Sequence, residues 1–205
     1  MTIYTYKGDL PDTFEAGSSI AVDTETLGLN PHRDRLCVVQ ISTGNGDAHL
    51  VQLGENDYET AKNLKRVLAD DKVEKIFHFA RFDVAVIKHY LNVDVTPVYC
   101  TKIASKLVRT YTDRHGLKDL ARELLGIDLD KKQQSSDWAA DELSPEQKSY
   151  AASDVLYLHA MKDKLNDMLN REGRTDLAKA CFAFLPVRAQ LDLTGWPDHD
   201  IFAHS

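Results

Sequence analysis

The feature that most constrains the fold is a change of hydrophobic period along the chain. Three β-rich runs come first, SSIAVDTETL (18–27), RLCVVQIST (35–43) and AHLVQL (48–53), separated by the turn-rich segments NPHRD and GNGD. Glycine-rich GNG between two apolar runs is a hairpin signal. AKNLKRVLAD (61–70) then has helical spacing of Leu64, Val67 and Leu68, KIFHF (75–79) is strand-like, DVAVIKHYL (83–91) helix-like, and PVYC (97–100) a short strand. Beyond Cys100 only helical patterns remain: TKIASKLVR, GLKDLARELLG, the long SPEQKSYAASDVLYLHAMKDKLNDMLNREG, and ACFAFLPVRAQLD with a break expected at Pro186. Strands first, then alternation, then helices imply an α/β fold, a sheet flanked by helices with a helical C-terminal half.

No repeat or Gly/Ser-rich linker divides the 205 residues, so one domain over 1–205 is expected. The closing LTGWPDHDIFAHS carries Trp196, Ile201 and Phe202, which predicts that the tail, about 192–205, docks on its own or a neighbouring subunit. Apolar runs are broken by charge well short of membrane-spanning length, and the N-terminus lacks a signal-peptide core. A cytoplasmic protein with no membrane partner is expected. Cys37, Cys100 and Cys181 form no CxxC pair and read as buried thiols. Seven histidines (His32, His49, His89, His115, His159, His199 and His204) show no HxxxH spacing, and Trp138 reads as core or interface.

A net charge of −7 excludes a broad basic surface that grips long nucleic acid through many phosphates. Residues 99–118 depart from this balance, with Lys102, Lys106, Arg109, Arg114 and Lys118 against Asp113 alone. That segment is either a local phosphate-binding surface or a solvated helix face.

Four acids fall in three separate segments. Asp23 and Glu25, two apart on a strand, share a face, and two acids on one face of an apolar strand call for a positive charge between them. Asp83 follows the KIFHF strand at the opening of a helix, where it would serve as a cap or as a site acid. Tyr150 and Asp154, four apart, share one face of a helix. Oxygen ligands from several elements suit hard divalent cations, and two such ions suit phosphodiester hydrolysis.

With these residues in view, the chain resembles the ribonuclease D-like exonucleases of the DEDD superfamily. The D-x-E motif is matched by Asp23-Thr24-Glu25, the second motif by Asp83, and Y-x3-D by Tyr150-Ala-Ala-Ser-Asp154. Ser149 stands where the histidine subclass has His, which makes this the tyrosine (DEDDy) subclass. Over nearly the whole length, including AVDTETLGLNPHRDRLCVVQ, CTKIASKLVRTYTDRHGLK and DIFAHS, it is similar to the short stand-alone nanoRNase C family. The resemblance implies a ribonuclease-H-like mixed sheet and a ring-shaped homo-oligomer, an octamer. It also implies 3′-5′ exonuclease action on very short RNA, chiefly dinucleotides such as pGpG.

By the same resemblance Asp23, Glu25, Asp83 and Asp154 would hold two divalent cations, Mg²⁺ or Mn²⁺, with Tyr150 positioning the attacking water. Leu29 would be an apolar wedge between bases, Thr26 and His78 would contact substrate, and Arg81 would line the cleft. Candidates for the 5′ phosphate are Lys102, Arg109, Tyr111, Arg114, Ser135 and Ser136. Longer RNA or DNA ends are the alternative substrate, and a non-catalytic nucleic-acid-binding module is the alternative class.

Overall fold

The protein is represented by a computed structural model that describes residues 1–204 apart from 131 and 134. β2 (Ser19–Thr26), β3 (Leu36–Ser42) and β4 (Ala48–Gln52) form an antiparallel meander, as the turn signals require. β3 is buried along its whole length, so it lies at the centre of the sheet and reads as a continuous apolar run rather than an alternating one. β5 (Glu74–Phe77) pairs parallel to β2 and β6 (Val98–Cys100) parallel to β5, each return requiring a crossover through α1 (Lys62–Ala69) or α2 (Ala80–Leu91). The order β1-β4-β3-β2-β5-β6 makes a mixed six-stranded sheet.

The strand that the sequence reading lacks is β1 (Ile3–Lys7), an edge strand parallel to β4 in the register Ile3↔Ala48 to Lys7↔Gln52. Its side chains are exposed or half-buried, so it carries no apolar alternation to betray it. Pairing with β4, rather than burial, makes it a strand.

α3 (Thr101–Val108), α4 (Leu117–Leu120), α5 (Pro145–Leu156), α6 (Leu158–Arg171) and α7 (Thr175–Leu193) complete the chain. The expected helix over 144–173 is two helices, because Tyr157 (φ −106, ψ −2) ends α5 and opens α6. No Gly or Pro marks this bend. It lets α5 lie on β2, β3 and β4 while α6 packs on α3 and β5. α7 runs through Pro186 without the expected break. Arg81 and Arg188 both grip Asp192 near its end, and α2 and β6 flank it, which holds the helix together despite one missing N–H.

Arg81 is thus drawn into an ion pair with Asp192 (2.6 Å) and out of the cleft role expected for it. Arg81 and Arg188 also donate to the carbonyls of Pro197 and Trp196, and Phe202 meets Phe184 at 5.9 Å between ring centroids. The C-terminal segment therefore lies along α7 of its own chain. Cys37 and Cys100 are buried, whereas Cys181 is only half-buried. Among the described residues no helix is long and apolar enough to cross a membrane.

Candidate active site

β2 pairs with β5 only over Ser19–Ala21, so residues from Val22 onward run past the neighbouring strand. The carboxyl ends of parallel β2 and β5 thus open a crevice where α2 departs, the place where α/β sheets bind ligands. A cleft of about 600 Å³ occupies it. Asp23 and Glu25 line this cleft together from one face of β2, as strand geometry dictates.

The opposite wall is α5. Ser144 caps it: its Oγ accepts from the Gln147 N–H (3.2 Å) while Gln147 Oε1 accepts from the Ser144 N–H (2.9 Å), with Pro145 in the first turn. Gln147 Nε2 also donates to the carbonyl of Asp137, tying the preceding loop to the helix. Trp138 from that loop is buried and packs 6.0 Å from Tyr150, ring to ring. Its place is the core. The rigid helix aims Tyr150 and Asp154 at β2, and carboxylate oxygens of Asp23, Glu25 and Asp154 lie within 4.8 Å of one another.

Asp83 is not a helix cap, because α2 already starts at Ala80. It is 3% exposed and accepts a 2.7 Å hydrogen bond from the hydroxyl of Thr24, the β2 residue that alternates to the other face. Asp83 stands beside the three-acid cluster rather than within it.

Burial is the first cause of the charge state here, and mutual repulsion the second. Burial, then Asp154 and Asp83, push Glu25 up to about 9; burial also pushes Asp83 up to about 7 against the Thr24 bond. Asp23 is raised well above the usual carboxylate range by burial, then by Asp83, Asp154 and Glu25. Tyr150 is raised by burial and by the charges of Asp154, Glu25 and Asp23, so its phenol stays protonated. Gln40, directly across from Asp23 on β3, sends its amide N–H groups to Asp23 (3.3 Å) and Glu25 (3.4 Å). Such long bonds from a neutral group cannot offset the repulsion. A cationic ligand fits this donor set: hard oxygen atoms, converging, and destabilised while alone.

A carboxylate is protonated only below about pH 4 in the unfolded chain, whereas folded Glu25 keeps its proton to about 9, so folding takes up protons in between. Chelator-treated protein should therefore be most stable near pH 4–5 at this site and lose stability up to about pH 9, by about 5 °C in Tm or more. Glu25→Gln should flatten that slope, and millimolar Mg²⁺ should oppose it; scanning calorimetry across the range checks both. Equal slopes in wild type and variant would contradict this electrostatic picture.

The cleft also collects Thr26, Leu29, His78, Lys102, Ser135 and Ser136 from the expected contacts. Leu29 is 85% exposed, which rules out core filling. Its loop is held by Asp34, which accepts from the Asn30 N–H and from Arg33, and a side chain at Gly28 would collide with the Asp34 carboxylate. His78 shares a 2.9 Å hydrogen bond with Thr101.

Arg109, Tyr111 and Arg114 are not brought to the cleft. Arg109 is fully buried and spends its guanidinium on Ser105, the Arg114 carbonyl and Glu123, while Tyr111 is 74% exposed elsewhere. Of the basic run only Lys102 and Lys118 reach the site. Gln40, Phe79, Phe82 and Leu117 were absent from the sequence reading. Gln40 had a legible signal, as the one amide in the apolar run LCVVQIS; its pairing with Asp23 needed the hairpin register.

Residues 7–170 match the family described as 3′-5′ exonuclease. The chain belongs to this 3′-5′ exonuclease family. Among its relatives, ribonuclease D of Acidiphilium cryptum (strain JF-5) is 32% identical over 167 residues, 82% of this chain and 42% of that protein. The chain spans about two fifths of the length of such curated relatives. The solved structure of Brucella melitensis NrnC is similar over 100% of both chains, with 58% identity and a TM-score of 0.96. The same nuclease bound to pGG is matched at 57% identity and TM-score 0.96, and with bound Mg²⁺ at 56% and 0.95, each over 100% of both chains. The exonuclease fold is thus ribonuclease-H-like and shared with NrnC.

Proposed function

We propose that the protein is a divalent-metal-dependent 3′-5′ exoribonuclease that degrades very short RNA, chiefly dinucleotides such as pGpG, to 5′-mononucleotides. The observation that carries this reading is the convergence of Asp23, Glu25 and Asp154 within 4.8 Å in a cleft whose volume suits a single small ligand. The NrnC relative solved with pGG supports the substrate class, and its Mg²⁺-bound form supports the metal.

Asp23, Glu25 and Asp154 would hold two Mg²⁺ or Mn²⁺ ions, with Asp83 beside them. Such ions would lower the pKa of water and neutralise charge growing on the leaving oxygen. The residues do the rest. Tyr150, kept protonated, orients the attacking water for in-line approach to the phosphorus of the 3′-terminal phosphodiester. A bond forms from the water oxygen to phosphorus as the bond to the departing 3′ oxygen breaks; the water gives up one proton, the departing oxygen takes up one, and a 5′-mononucleotide leaves. Leu29 projects between the two bases, while Thr26, His78, Ser135 and Ser136 offer hydrogen bonds and Lys102 a positive charge toward the substrate's phosphates.

The reading extends to one domain over 1–205, a cytoplasmic location and a homo-oligomeric ring of eight. A neighbouring subunit closing the cleft would restrict substrate length. Single-turnover cleavage of labelled two-mer, seven-mer and duplex substrates tests it. The two-mer should react at least about tenfold faster than the others, since a cleft closed by a neighbouring subunit excludes further nucleotides and a second strand. Equal rates on all three would favour action on longer RNA or DNA ends. No chelator-sensitive release of mononucleotides would defeat the enzymatic reading.

A further inference from the structure

β5 ends at the fully buried Phe77, and α2 starts at Ala80, so the chain must turn within two residues. Phe79 makes the turn in the left-handed region, φ 66 and ψ 42, and offers α2 no side-chain cap. Gly or Asn is the ordinary occupant of such a position, since an L side chain there crowds its own backbone. Local folding is therefore poorly served by this residue. Nor does the core gain from it, because the ring is 45% exposed. Strain and an exposed aromatic together, four residues before Asp83, point to a use outside folding.

The ring lines the same cleft as Asp23, Glu25, Tyr150 and Asp154, and Lys102 Nζ lies 4.2 Å from its centroid. A cation at that distance interacts favourably with the ring and places positive charge beside an aromatic surface, the pairing that single-stranded nucleic acid uses through base and phosphate. Leu29 exposes a second apolar surface to the cleft from the loop after β2. Two apolar surfaces on different elements, in a cleft of about 600 Å³, can bracket a nucleobase.

We infer that Phe79 is a specificity-determining residue, a platform on which one nucleobase of the substrate stacks. This rests on the exonuclease reading above and adds a subsite to it. The left-handed backbone is what turns the ring into the cleft instead of the core. Stacking on a phenyl ring tolerates every base yet favours purines, which have the larger π face. The platform therefore biases the enzyme toward purine dinucleotides.

Phe79→Gly separates this role from a structural one because the two predict opposite signs. Glycine relieves the left-handed strain, so Tm should hold or rise. At the same time KM for pGpG should rise about tenfold or more with kcat changed less than about threefold, and the preference for pGpG over pUpU should shrink. Phe79→Trp should restore both KM and preference. An unchanged KM in the glycine variant, or a raised KM that Trp does not rescue, overturns the platform while leaving the exonuclease reading intact. A wild-type enzyme inert toward both dinucleotides overturns that reading and the platform with it.

Discussion

Asp154→Asn is expected to lower kcat by about 10³-fold, because the proposed metal site would exchange a charged ligand oxygen, worth several kcal/mol of transition-state stabilisation, for a neutral amide. The same change should stabilise the metal-free protein at pH 8, since the Asp154 charge contributes to raising both Glu25 and Asp23. Lost activity with gained stability is the signature of a site whose acids repel one another until cations arrive. Tyr150→Phe, which removes a donor and leaves the three-acid cluster intact, should slow the reaction only about 10- to 100-fold. Rapid-quench kinetics with pGpG and calorimetry in chelator measure the two quantities. Unchanged turnover in Asp154→Asn would remove the assignment of this cleft as the active site.

Arg109→Met is expected to destabilise the fold by about 3 kcal/mol, the low end for removing one partner of a buried ion pair. The low end applies because Glu123 is one-third exposed and can rehydrate, and because Arg109 Nε is already buried without a partner. Ser105 and the Arg114 carbonyl, both served by the guanidinium, would lose their donor. For a chain of this size that corresponds to a Tm fall of roughly 10 °C. A phosphate-gripping arginine would behave differently, raising KM without moving Tm. Thermal unfolding beside steady-state kinetics separates the two; a raised KM at unchanged Tm would return Arg109 to the substrate.

Much of the site was legible because strand and helix periodicities are local. Asp23 and Glu25 share a face by the two-residue repeat, Tyr150 and Asp154 by the four-residue helical step, and no distant contact can alter either relation. Exposure was not legible. Arg109 and Lys102 sit in the same basic run, one consumed by an internal network and the other at the cleft, and charge alone does not distinguish them. By itself Asp83 read first as a helix cap, and the start of α2 at Ala80 together with the Thr24 hydroxyl placed it otherwise. Phe79 gave no sign, since its meaning lies in a backbone angle that a phenylalanine does not advertise. β1 and the bend at Tyr157 escaped for a related reason: pairing to β4 and a change of packing partner create them, not any residue preference.

The succession from β2 to β6 followed by helices, the three motifs, and the shared faces of Asp23 with Glu25 and of Tyr150 with Asp154 were determined by sequence alone, because short-range stereochemistry enforces them. Tertiary structure alone decided that Asp154, some 130 residues from Asp23, closes to within 4.8 Å of it, and which cations face the cleft. Chain crossings and burial set those distances, and both depend on every element packing at once.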